Sequence, residues 1–187
     1  EANGGNVIEA KYGKLLREAF EQPKGELLKI AIDQMSNEVY QRLLRVDTSV
    51  LREWLPNYSD FPEDMSSLIG LWDDHQLNTL FHNLGGHDFS TLRDAFRLSD
   101  KAPGPNVIFA YTLKGFMLPS IGDPQNHSVV LSREQMDSLR QSLGMEEGCD
   151  WIPLNRDTQE GQLCFEVGNR LRKSETRINI PSQPIPH

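Results

Sequence analysis

The chain has 187 residues, 37% hydrophobic and 25% charged, with a formal net charge of −8. That length suits one or two domains, most simply one, with a real core, and the excess of 27 Asp and Glu over 19 Lys and Arg repels polyphosphate, so neither nucleic acid nor an anionic membrane is an expected partner. No apolar run reaches the roughly 18 residues that span a bilayer, the first residues carry no basic or apolar leader, and Cys149 and Cys164 are too few for a disulfide framework; a reducing, cytoplasmic setting is expected.

In chain order, Asn6-Val7-Ile8-Glu9-Ala10 behind Gly4-Gly5 reads as a short buried strand. Tyr12, Leu15, Leu16, Ala19 and Phe20 recur at helical spacing up to Pro23-Lys24-Gly25. From Glu26 onward Leu28, Ile32, Met35, Val39, Leu43 and Val46 fall three or four apart. That spacing predicts one long amphipathic helix with Asp33, Asn37, Gln41 and Arg45 outward. Asp47-Thr48-Ser49 offers cap oxygens for a helix through Trp54 that Pro56-Asn57 ends, and Tyr58 to Ser67 reads as a polar loop.

Asp73 or Asp74 caps a helix through Leu77, Leu80 and Phe81 that breaks at Gly85-Gly86. Asp88 opens the next, with Phe89, Leu92, Ala95 and Phe96 inward. The clearest strand is Val107-Ile108-Phe109-Ala110-Tyr111-Thr112, closed by Lys114-Gly115. Its unbroken apolar run predicts cover on both faces. Ser132-Arg133-Glu134-Gln135 is a capping-box pattern leading into Met136, Leu139 and Leu143, with Gly144 as the stop. Strand, several helices, strand and helix make the order of an α/β layer fold with at least two core strands. Three prolines between Ile180 and Pro186 mark residues 179–187 as an extended linker or tail, and residues 1–178 as the folded part.

Gly-x-Ser-x-Gly, the P-loop and Gly-x-Gly-x-x-Gly are all absent from the sequence, so hydrolase, kinase and dinucleotide readings have no motif. His75, His82 and His87 lie near Asp73, Asp74 and Asp88, yet no His-x-x-x-His pair puts two imidazoles on one helical face. That spacing argues against a metal. Gly85-Gly86-His87-Asp88 admits two readings. It is either a bent, movable turn with a proton-carrying histidine held by an aspartate, or an ordinary junction between helices. Lys114 and His127, in the segment after the second strand, are candidates to meet an anionic group, because open α/β sheets gather ligands at that end; a plain surface loop is the other reading.

Taken together, Trp72-Asp73-Asp74 through Leu80, Gly85-Gly86-His87-Asp88, Ala95-Phe96 and Val107 through Gly115 resemble the homodimeric pyruvate dehydrogenase family. Asn6-Val7-Ile8 and Leu51-Arg52-Glu53 are similar too. These are thiamine-diphosphate-dependent decarboxylating subunits of the transketolase superfamily. The resemblance implies the latter part of a diphosphate-binding domain, with parallel strands and several helices. It implies a mobile inner loop shaped by Gly85, Gly86 and Asp88, on which His87 is the catalytic residue assisting acyl transfer to a lipoyl-bearing acyltransferase partner. Lys114 and His127 are placed near the cofactor by the same resemblance. Magnesium ligands, a Gly-Asp-Gly segment and an Asn, would precede this chain, and the cofactor-activating glutamate would follow it. The substrate would be a 2-oxo acid and the parent a homodimer, with the fragment alone inactive. Gly5 stands where a tryptophan is expected and Leu84 where a basic residue is. Met117-Leu118-Pro119 stands where the pyruvate enzymes are glycine-rich, which hints at a sister branch acting on another short acid such as 2-oxobutyrate. A transketolase-type transferase and a non-catalytic interaction module are the rival readings.

Overall fold

The computed structural model describes residues 4–146, 148–149 and 151–172; the proline-rich 179–187 segment lies outside them. The chain divides into two compact units, Glu1–Met136 and Asp137–His187, and the boundary falls inside one helix.

The first unit is mixed helical with a small parallel sheet. Strand β1 (Asn6–Ala10) and strand β2 (Asn106–Ala110) pair in parallel, Asn6 opposite Asn106 and Ala10 opposite Ala110. Between them come helices α1 (Lys14–Phe20), α2 (Gly25–Gln34), α3 (Asn37–Leu43), α4 (Thr48–Trp54), α5 (Pro62–Ile69), α6 (Asp74–His82) and α7 (Phe89–Lys101). The predicted α/β order therefore holds at that level. The core is helical rather than sheet-centred: Leu16, Leu28, Leu43, Leu51, Met65 and Phe81 are all under 3% exposed. Each buried side chain of this size contributes roughly 1.5–3 kcal/mol. Tyr40 donates its hydroxyl to the Phe81 carbonyl at 2.5 Å, tying α3 to the end of α6.

Three local expectations are corrected. The long helix from Glu26 is two helices, because Met35 turns extended (ψ 137°) and the Ser36 hydroxyl accepts from Val39 N–H to start α3. Periodicity carried straight through this break because both helices face one core. Within the expected 58–67 loop, Pro62 begins α5 instead of ending a helix. A proline at the first turn loses no hydrogen bond, and Glu63 and Asp64 favour the positive end of the helix dipole. On α7, Thr91 and Ala95 are buried while Phe89 is 89% and Phe96 60% exposed.

The sheet also departs from the two-sided cover predicted for it. Helix α7 packs against both strands, whereas Val7, Val107 and Phe109 are exposed on the other face.

Helix α8 (Arg133–Ser142) starts at the expected capping box, with Gln135 N–H on Ser132 Oγ at 3.3 Å and Ser132 N–H on Gln135 Oε1 at 3.0 Å. Gly144 follows in the left-handed region at φ 66°. The second unit also holds α9 (Gln159–Arg172), with the Arg156 guanidinium 4.1 Å from the Phe165 ring centre. Sequence reading assigned no element there. Among the described residues no helix is long and apolar enough to cross a membrane.

Candidate functional site

The candidate site is built at the C-terminal ends of β1 and β2, where parallel strands leave their last backbone groups for loops and ligands. After Ala10 the chain runs through Lys11 and Tyr12, and after Ala110 through Tyr111 and Thr112. Residues 83–88 lie across both exits. Gly85 N–H donates to the Lys11 carbonyl at 3.0 Å and Gly86 N–H to the Tyr111 carbonyl at 2.8 Å. This close seat explains the two glycines. A Cβ at Gly85 would collide with the Ala10 carbonyl, and one at Gly86 would sit 2.5 Å from the Tyr111 oxygen and the Thr112 methyl.

Asp88 ends this segment as a cap for two helices. Its carboxylate accepts Thr91 N–H of α7 at 2.8 Å and Lys14 N–H of α1 at 3.0 Å, and Asn83 Oδ1 accepts Leu15 N–H at 2.9 Å. Partial burial opposes ionisation of Asp88, but these donors outweigh it and hold the carboxyl at about 2.

His87 has a different partner from the neighbouring aspartate expected to hold it. Its Nε2 accepts Leu113 N–H at 2.6 Å, and its ring stacks on Phe116 with centroids 3.8 Å apart and planes 8° from parallel. A backbone amide can only donate, so Nε2 carries a lone pair and the proton of the neutral ring is on Nδ1. Burial lowers the His87 pKa, and nearby His82 pushes the same way. The Leu113 amide likewise favours the neutral ring, since protonated Nε2 cannot accept it.

Lys114 and His127 line one recess of about 170 Å³ with Gln41, Thr112, Leu113 and Asn126. Asn126 Nδ2 donates to the Lys114 carbonyl at 2.6 Å and folds the loop back. An adjoining recess of about 370 Å³ shares Gln41, Thr112 and Leu113 and adds Lys11, Tyr12, Asp33 and Tyr111. His87 lines neither; it reaches their common wall through Leu113.

Lys11, Tyr12 and Asp33 were missed as site residues. Lys11 and Tyr12 both donate to the Asp33 carboxylate, Lys29 adds a bond at 2.6 Å, and the Lys11 ammonium lies 5.1 Å from the Tyr12 ring centre and 5.8 Å from that of Tyr111. Partial burial opposes ionisation of Asp33, yet the three donors hold its carboxyl at about 2. Burial, reinforced by the Asp33 bond, pushes the Tyr12 phenol up to about 12. The available signal was position: Lys11 and Tyr12 directly follow a predicted strand.

The donor set does not make a magnesium–diphosphate site by itself. Among the described residues no three His, Cys, Asp or Glu side chains gather as metal ligands. Asp33 and Asp88 already accept from protein donors, and Asp123, which lines the recess with Lys114 and His127, accepts Gln125 N–H at 2.8 Å and faces the Arg45 guanidinium at 3.7 Å. His75, His82 and His87 do not converge on a cation either, and His82 Nδ1 meets the Asn78 carbonyl of its own helix at 2.8 Å.

No protein-family model matches this chain, and a search of curated proteins gives no match.

Proposed function

We propose that these residues are the latter part of the thiamine-diphosphate-binding domain of a 2-oxo-acid dehydrogenase decarboxylating subunit, and that His87 serves acyl transfer to a lipoyl group. The observation that carries this reading is the Gly85-Gly86-His87 turn, hydrogen-bonded across the C-terminal ends of two adjacent parallel strands. Two further features support it. Met117, in the stretch where the resembling family is glycine-rich, sits at φ 64°, a backbone state that favours glycine. The open sheet face bearing Val7, Val107 and Phe109 suits a sheet with further layers, since parallel sheets are ordinarily covered on both sides.

In this reading the parent is a cytoplasmic homodimer acting on a short 2-oxo acid, with a lipoyl-bearing acyltransferase as partner. Thiamine diphosphate supplies the carbanion chemistry, and its magnesium ligands lie on residues outside this chain. The chain's own contribution is a proton. Opening the lipoyl disulfide expels a sulfur that leaves as thiolate, and an imidazolium at that point neutralises it. His87 can donate only after Nε2 gives up the Leu113 amide and takes a proton, so release of this contact precedes transfer.

The test uses the full-length protein that contains these residues. His87→Ala leaves decarboxylation with an artificial electron acceptor in place and lowers acyl transfer to a lipoyl domain by roughly 100-fold or more. Equal loss of both activities removes the assigned role.

A further inference from the structure

A third recess, of about 400 Å³, is lined by Lys11, Arg17, Lys29 and Thr91 together with Glu9 and Asp33. Its charges do not balance: three cations face two carboxylates. Asp33 engages both lysines, and neither Glu9 nor Arg17 has an ion-pair partner among the described residues.

Arg17 is nevertheless held in place. Its Nη2 donates to Thr91 Oγ1 at 3.1 Å, and Thr91, only 8% exposed, is itself held by its own backbone N–H on Asp88 Oδ1 at 2.8 Å. A guanidinium fixed through one nitrogen keeps its other N–H groups for an acceptor, and a carboxylate matches that fork in shape. Tyr12 and Thr91 add polar and apolar walls of the kind that surround a small ligand.

We infer that this recess binds a small monocarboxylate, one negative charge completing the set, with Arg17 as its main contact and Lys11 and Lys29 flanking. The recess shares Lys11, Tyr12 and Asp33 with the one beside Leu113, but Arg17 and Thr91 belong to it alone of the two, and the inference rests on them and not on the role proposed for His87.

The test is an NMR titration of the 187-residue chain with sodium propionate at constant ionic strength, following the Arg17 Nε–H and the Thr91 and Lys11 amides. Sodium chloride, inorganic phosphate and succinate serve as comparison ions. Propionate produces saturable shifts confined to the recess, and Arg17→Gln weakens binding at least about tenfold. Arg97→Gln, on the exposed part of α7, leaves the titration unchanged. Shifts that rise linearly, that chloride reproduces, that are stronger with phosphate or succinate, or that survive Arg17→Gln would each overturn the assignment.

Discussion

The Leu113 amide donates to His87 Nε2 at 2.6 Å, so the residue that leaves β2 and the tip of the glycine turn are joined through the nitrogen that proton transfer would use. This contact makes the ring a latch in its neutral form. Protonation at Nε2 turns an acceptor into a donor and sets two N–H groups against each other. The stacked Phe116 ring stays, but the link between turn and strand exit does not.

The latch has a pH signature. Because the folded pKa lies below the ordinary 6.5, the unfolded chain binds a proton before the folded one does. Stability is therefore full above about pH 6.5 and falls as the pH drops from there through the folded pKa, by at most about 1.4 kcal/mol per pH unit. His87→Phe keeps the stacking surface and removes the acceptor. It costs about 1–2 kcal/mol at pH 8, where the Leu113 amide loses its partner, and it flattens the slope between pH 6.5 and 5. Urea unfolding across that range, together with an NMR titration of the His87 ring, measures both. A ring titrating at or above 6.5 contradicts the latch.

Asp88 gives a second, more acidic transition. One carboxylate caps α7 and, through Lys14 N–H, the start of α1, so Asp88→Ala removes two helix caps and costs about 2 kcal/mol. With its carboxyl held at about 2 against an ordinary 3.8, Asp88 contributes stability that is present above pH 4 and lost as the pH falls toward 2. Asp88→Asn retains much of the capping and loses that acid-side dependence. Comparing the three proteins by denaturant unfolding at pH 7 and pH 3 separates the cap from the charge.

Signals carried by adjacent residues were legible in the sequence, whereas those requiring tertiary placement were not. Strand β1, a cap at Asp73 or Asp74 (the structure selects Asp73) and the box at Ser132 each rest on a few neighbouring side chains whose chemistry is local. Lys114 and His127 share a recess because one short loop, closed by Asn126 on the Lys114 carbonyl, folds back on itself. Asp33, read as an outward helix residue, points away from the core yet faces Lys11 and Tyr12. Nothing in helical periodicity distinguishes solvent from a recess. The Leu113 amide was equally hidden, since a backbone donor leaves no trace in residue type.

Met117 permits a stabilising test. It is 59% exposed and holds φ 64°, a conformation costing a side-chain-bearing residue about 1–2 kcal/mol. Glycine removes that strain, gives up little packing and loses more chain entropy on folding. Met117→Gly is therefore expected to raise stability by about 0.5–1 kcal/mol in urea unfolding. A destabilised variant would mean that the Met117 side chain supports the loop more than its backbone strains it.

The last prediction concerns the cofactor implied by the resemblance. A ligand present at a hundred times its Kd adds about 2.7 kcal/mol to the folded state, which for a chain of this length raises Tm by roughly 5–10 °C. Binding thiamine diphosphate needs a cation site for its two phosphates. Here Asp33 is committed to Lys11, Lys29 and Tyr12, Asp88 to helix caps, and Asp123 to Arg45 and the Gln125 N–H. Thiamine diphosphate with magnesium is therefore expected to leave the Tm of this 187-residue chain unchanged in differential scanning calorimetry, and to raise it only when the preceding residues of the proposed domain are present. A clear rise with the 187 residues alone would show that the cation site is built from these residues after all, and the division of labour proposed for the parent subunit would have to be redrawn.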